Sequence, residues 1–324
     1  MMVDFRYHLV SLVAVFLALA CGIALGAGPL RDAIGDTVSG RNAALTAQNA
    51  QLTKERDAAT ADQRAADAAL DAAGAGLLGG TLPGYRVAVV ALGTVDDGMA
   101  KAVDTRLAQA GAQVVSHVTL TPAWTDPAVR SFRQSLVGYL TGYLAPAPAA
   151  NATPDDELAQ ALVEGLAGAD AAKPDAPSEN ASTLLQLLST GDTPLVRLAA
   201  PVTTPADLVV LLAPGSSSTG STPAPTGGGV ANAAVTLLTA AQAGSRGAVL
   251  AEADGGPGPV VAGVLASSGA GGLSTVSGAS GVVGQVGVPL ALAQRVGGTA
   301  GHYGTGTGLA ALPPRTVAAA PPRG

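Results

Sequence analysis

Residues 86–92, Arg86-Val87-Ala88-Val89-Val90-Ala91-Leu92, followed by residues 113–120, QVVSHVTL, decide the fold class. The first run is short, almost wholly apolar and preceded by the turn Pro83-Gly84, the pattern of a strand buried on both faces within a parallel sheet. Between the two runs, Asp96-Asp97 can cap a helix over 97–110, whose apolar Met99, Val103 and Leu107 recur at four-residue steps. Strand, helix and strand in that order imply a parallel sheet covered by helices.

Downstream the pattern repeats. Residues 207–213, DLVVLLA, read as another buried strand, followed by the long uncharged loop 214–229, a helix over Val230–Ala243 and a strand over Ala248–Ala251. A helix at Val260–Ala266, a strand around Leu273–Val276 and a helix at Pro289–Val296 complete the alternation. Between the two repeats, 126–144, 154–169 and 181–189 suit helices, joined by Pro-rich connectors at 145–150 and 173–177. The reading is an α/β protein with a mostly parallel doubly wound sheet, arranged as a first lobe at 85–150, a helical segment with connectors at 151–206 and a similar second lobe at 207–310. Residues 311–324, rich in Pro and Ala, are expected to be a disordered tail.

Upstream, Leu9–Leu30 holds 22 consecutive uncharged residues. As a helix it would extend ~33 Å, enough for a hydrocarbon core of about 30 Å. A cleaved signal peptide is the rival, but its apolar region is shorter and its positive start stronger, so residues 1–30 are expected to be a retained transmembrane anchor. Cys21 is then a small apolar residue inside the span. Arg6 favours an internal N-terminus, with the body outside the cytoplasm. Residues 31–74 read as a helical stalk: Val38, Leu45, Leu52, Ala59, Ala66 and Ala73 recur every seven residues, one row of a coiled-coil seam. The companion row Asn42, Asn49, Arg56, Gln63 and Leu70 is polar almost throughout, so a solitary solvated helix and a weak dimeric coil both fit. Gly74, Gly76, Gly79, Gly80 and Pro83-Gly84 suggest a flexible hinge over 75–84.

Composition narrows the function. The formal net charge of −6 argues against nucleic acid, and the single cysteine excludes an internal disulfide framework and any multi-cysteine zinc site. Aromatics make 3% of the chain, and the strands are continuous apolar runs separated by helices, unlike the alternating strands and aromatic girdles of a membrane barrel. The opening FRYHLVSLVAVFLALACGIALGAGPL, the polar stalk and the terminal VPLALAQRVGGTAGHYGTGTG together resemble the actinobacterial copper transporter family MctB, from the start of the chain to about Gly308. The resemblance implies a role in copper export or tolerance at the cell envelope and a pore-forming protein of the outer membrane, with copper as the transported ion. It brings no catalytic signature and no set of metal ligands.

The chain's own soft or imidazole ligands are Cys21, Met1, Met2, Met99, His8, His117 and His302. His302, in Gly301-His302-Tyr303-Gly304-Thr305-Gly306, is the weak best metal candidate, although a turn with positive φ at Gly301 and Gly304 explains the same motif. His117 sits in an apolar strand, where a satisfied histidine is the simpler account; His8 and Asp4 suit an interfacial anchor. Asp96 and Asp97 stand at a strand end where α/β sheets keep ligands, and also where a helix needs a cap. The serines at 216–218 and 267–268 lack a nucleophile-elbow pattern, and Gly304–Gly308 lacks the strand-to-helix setting of a nucleotide loop. No catalytic or cofactor-binding residue is identified, and an enzyme is not expected. Three readings follow: an envelope protein of copper homeostasis, a non-catalytic envelope scaffold with a homo-oligomeric stalk, and a cryptic enzyme or small-molecule binder using a strand-end cleft.

Overall fold

The computed structural model describes residues 5–27, 29–215, 228–306 and 309–321, which fall into two compact units, Met1–Ala66 and Asp67–Gly324. The first unit contains α1 (Phe5–Ala27) and most of α2 (Pro29–Leu78). Within α1, Arg6–Ala24 is long and apolar enough to cross a membrane by length and composition. Residues 41–66 of α2 are exposed throughout, including Leu45 at 57% and Leu52 at 53%. The side chain of Val38 lies outside the described residues, as do Met1, Met2 and Asp4.

In the second unit, β1 (Arg86–Ala91), α3 (Asp97–Gln109) and β2 (Gln113–Leu120) form the expected strand–helix–strand. Next come α4 (Arg130–Leu140), α5 (Pro154–Ala167), α6 (Glu179–Ser189), β3 (Val196–Leu198) and β4 (Leu208–Ala213). The chain then runs through α7 (Gly228–Gly244), β5 (Ala248–Glu252), α8 (Pro259–Ala266), β6 (Thr275–Ser277), α9 (Val282–Val296) and β7 (His302–Tyr303). Among the described residues the strands make one seven-stranded sheet in the order β3-β2-β1-β4-β5-β6-β7, parallel at every pairing except β2 with β3. Strands from residues 85–150 and 207–310 therefore share a single sheet, β1 pairing directly with β4.

Both faces are covered. Val87 and Val89 pack with α3, α9 and Leu78 of α2 on one face; Ala88 and Val90 pack with α4 through α8 on the other. This two-sided burial is why β1 and β4 lack a polar alternation. From β4 to β7 the chain steps across the sheet in one direction, yet α7 and α8 lie on one face and α9 on the opposite face. The β6–α9–β7 connection thus has the opposite hand to β4–α7–β5 and β5–α8–β6, a departure from the usual single hand of such crossovers.

At the amino ends of the central strands, Arg86 grips Asp207 through Nε and Nη2, both at 3.0 Å, while Asp207 also accepts the Arg86 amide at 2.9 Å. The Arg86 Nη1 donates to Asp175 at 3.0 Å, so one guanidinium ties β1, β4 and the 173–177 connector together. A two-toothed, partly shielded pair adds a geometric specificity that a single-point surface ion pair lacks.

Several expectations change. The hinge over 75–84 is instead packed: α2 continues through Gly74 and Gly76 to Leu78, and Leu78, Leu82 and Tyr85 are buried. Gly74 is there for close approach, since a Cβ would come within 2.9 Å of the Arg106 guanidinium, which pairs with Asp71. The helix at Pro289–Val296 begins seven residues earlier, at Val282, because Gly284 and Gly287 let it lie against the Gly278 backbone and Val276 rather than break it. The 126–144 helix is α4 flanked by 3-10 turns at Pro127–Val129 and Thr141–Tyr143. Within 151–206, β3 adds an antiparallel edge strand, and the terminal loop supplies β7.

The tail is not disordered through residue 321. Arg315 donates from Nε to Leu77 O and from Nη2 to Gly79 O, both at 2.9 Å, supplying partners to carbonyls at the end of α2. The Ala318 amide donates to Thr81 O at 2.9 Å, and the Tyr85 hydroxyl donates to Ala319 O at 2.7 Å. Ending the chain after Pro314 is expected to lower the unfolding free energy in urea by about 1–3 kcal/mol, from the combined loss of the Arg315, Ala318 and Ala319 hydrogen bonds. Unchanged stability would contradict a packed tail.

Candidate functional site

In an open α/β sheet, the ligand crevice lies beyond the carboxyl ends of the strands where the chain leaves in opposite directions, here between β1 and β4. The Leu92 amide donates to Leu212 O at 2.8 Å, and Gly93 then takes φ +106° with open space where a Cβ would stand. Asp96 accepts the Met99 amide at 2.9 Å, capping α3. Across β4, the fully buried Glu252 ends β5 and accepts the Val260 and Val261 amides at 3.0 and 2.9 Å, capping α8. Burial pushes the Glu252 carboxyl up against the opposing pull of those amides.

The amino ends of α3 and α8 would be natural anion sites. Each already holds a carboxylate of the chain, so a phosphate there would meet negative charge. Glu252 was not singled out in the sequence; its signal is an acid ending an apolar strand just ahead of Gly255-Gly256-Pro257-Gly258 and the next helix. Residues 216–227 of the 214–229 loop, with Ser216 to Ser218, lie outside the described residues.

The Gly301–Gly306 motif forms the last strand and its exit turn. His302 Nδ1 meets the Thr275 hydroxyl at 2.9 Å, and Tyr303 donates its hydroxyl to Gln294 Oε1. Gly304 takes φ +127° against the Ser277 backbone, as the expected turn requires. Gly301 is not in that conformation: a Cβ there would strike the Tyr303 ring, so its role is room for the tyrosine. Burial pushes His302 down and Tyr303 up from their ordinary values. Thr307 and Gly308 lie outside the described residues.

His117 sits on β2 with Nε2 3.0 Å from Asp104 of α3, and that hydrogen bond raises its pKa. Five strand spacings separate β2 from β7, ~24 Å, so His117 and His302 cannot share an ion. Met99 is buried in the core, and Cys21 lies on α1. Among the described residues, no three His, Cys, Asp or Glu side chains gather as a metal-holding group. A cavity of about 860 Å³ lies elsewhere, between α5, α7 and the loop after residue 144.

These features define an α/β protein with an N-terminal apolar helix. The family described as "Copper transport outer membrane protein, MctB" matches residues 2–314, and the chain belongs to that family. No curated protein matches the chain.

Gly304→Ala is expected to destabilise the body by about 2 kcal/mol or more in chemical denaturation, because its positive φ and the Ser277 contact both oppose a side chain. Wild-type stability would contradict the described turn. For His117, the paired imidazolium contributes stability that is complete below the ordinary histidine value of about 6.5 and lost as pH rises through the raised one. With His117 half-exposed, that contribution stays below about 1 kcal/mol. Asp104→Asn should bring the His117 titration, followed by NMR, back down; an unmoved titration would contradict the pairing.

Proposed function

We propose that the chain is a single-pass envelope protein of copper export or tolerance, held in the bilayer by α1 with its α/β unit outside the cytoplasm. The family match over residues 2–314 carries this reading, and the apolar Arg6–Ala24 stretch supports the anchor. Copper is its cargo rather than a resident cofactor, and the body acts without enzymatic chemistry. Cells from which the chain is deleted should accumulate copper and grow poorly under copper stress, with recovery on returning the full chain. Unchanged copper content and growth would remove the reading.

The exposed row Leu45, Leu52, Ala59 and Ala66 favours self-association through α2, which also serves a scaffold reading in which the chain recruits partners and handles no metal itself. In a Cys21→Ser background, Leu52→Cys should form disulfide-linked dimers in membranes under mild oxidation. A chain that stays monomeric under those conditions would argue against the pairing.

A further inference from the structure

The 860 Å³ cavity falls within the size range of small-molecule sites, about 300–1,000 Å³. It is bounded by α5, α7, the start of α6 and the loop from Ala145 to Ala152. Small side chains line its α7 wall, Ala240, Ala243 and Gly244, and at Gly244 the two helices pack so closely that a Cβ would come within 2.8 Å of Val163 of α5. The loop is held over α5 by two contacts. Gln160 Nε2 donates to Pro146 O at 2.6 Å, and the Ala145 amide donates to both Glu164 carboxylate oxygens at 3.0 and 2.9 Å.

The charge is one-sided. Asp156, Glu164 and Glu179 line the cavity, and no Lys, Arg or His does. One amide serves both oxygens of Glu164, leaving acceptor capacity in a carboxylate with about four lone-pair sites. Burial pushes the Glu164 carboxyl up, so its ionised form would gain from a nearby positive group. The three acids do not gather as a metal-holding group. A fitting cation must therefore bring an apolar body to cover the alanine and valine wall. We propose that this cavity binds a compact organic cation, an amine with a short apolar body, whose ammonium is received by Glu164, with Glu179 of α6 adding negative charge to the same cavity. The proposal is independent of copper handling.

The test follows the Val163 methyl signals of the full chain in nanodiscs by NMR, titrating cyclohexylammonium, cyclohexanol and cyclohexanecarboxylate. Cyclohexylammonium should shift those signals saturably, at least tenfold more tightly than cyclohexanol, with the carboxylate weaker still. Glu164→Gln should cut the preference for the ammonium over the alcohol to within about twofold. If that variant loosens the loop, Glu179→Gln, on a different helix, should still reduce the preference selectively. Equal affinity for ammonium and alcohol, or no shift with any probe, would overturn the proposal.

Discussion

The structure depends on one constraint: the neighbouring strands β1 and β4 are buried on both faces. Inside such a sheet every amide and carbonyl must find a partner strand, and every side chain must find a helix. Val87 and Val89 require the layer built by α3, α9 and the end of α2, whereas Ala88, Val90, Val209 and Leu211 require α4 through α8. Arg86 and Asp207 fix the two strands at their amino ends, where a fork of hydrogen bonds replaces the water lost by both charges. The apolar strand pair and the partly buried Arg86–Asp207 pair at its amino end together set the register from which the other strands are laid down.

The same demand explains why the segment after residue 66 and the tail are not spacers. Leu78 and Leu82 complete the layer over β1, so the end of α2 is part of the body's core. Arg106 and Asp71 attach α2 to α3, and Arg315 takes up the carbonyls where α2 stops. The chain leaves α2 through Gly80, whose φ of +71° makes the turn, and Arg315 supplies donors to carbonyls beside it.

The alternation of buried strands and amphipathic helices was legible because RVAVVAL and DLVVLLA are short, Val-rich or Leu-rich apolar runs bounded by turn residues, with a four-residue apolar repeat following the first. Glycine was the main source of error. Gly74 sits inside a helix, and Gly284 and Gly287 inside another, each where a close neighbour crowds the position a side chain would take, whereas Gly76 is helical with open space beside it. Glycine in a sequence marks either a bend or a close approach, and only the partner decides which. Short edge elements such as β3 and β7 carry too few residues for a period to show. Of the site residues, the capping role of Asp96 was readable from its position before a helix; Glu252 and the acid-lined cavity depend on contacts between distant segments.

Membership of a copper transport family and an open α/β sheet meet in the proposed division of labour, with α1 in lipid and the unit from Asp67 onward folded in water. Alkaline carbonate extraction of membranes, comparing the full chain with one starting at Asp67, addresses that division most directly. The account predicts that the full chain stays with the membrane pellet, while the shorter chain is released and still unfolds cooperatively. Retention of the shorter chain in the pellet would contradict it.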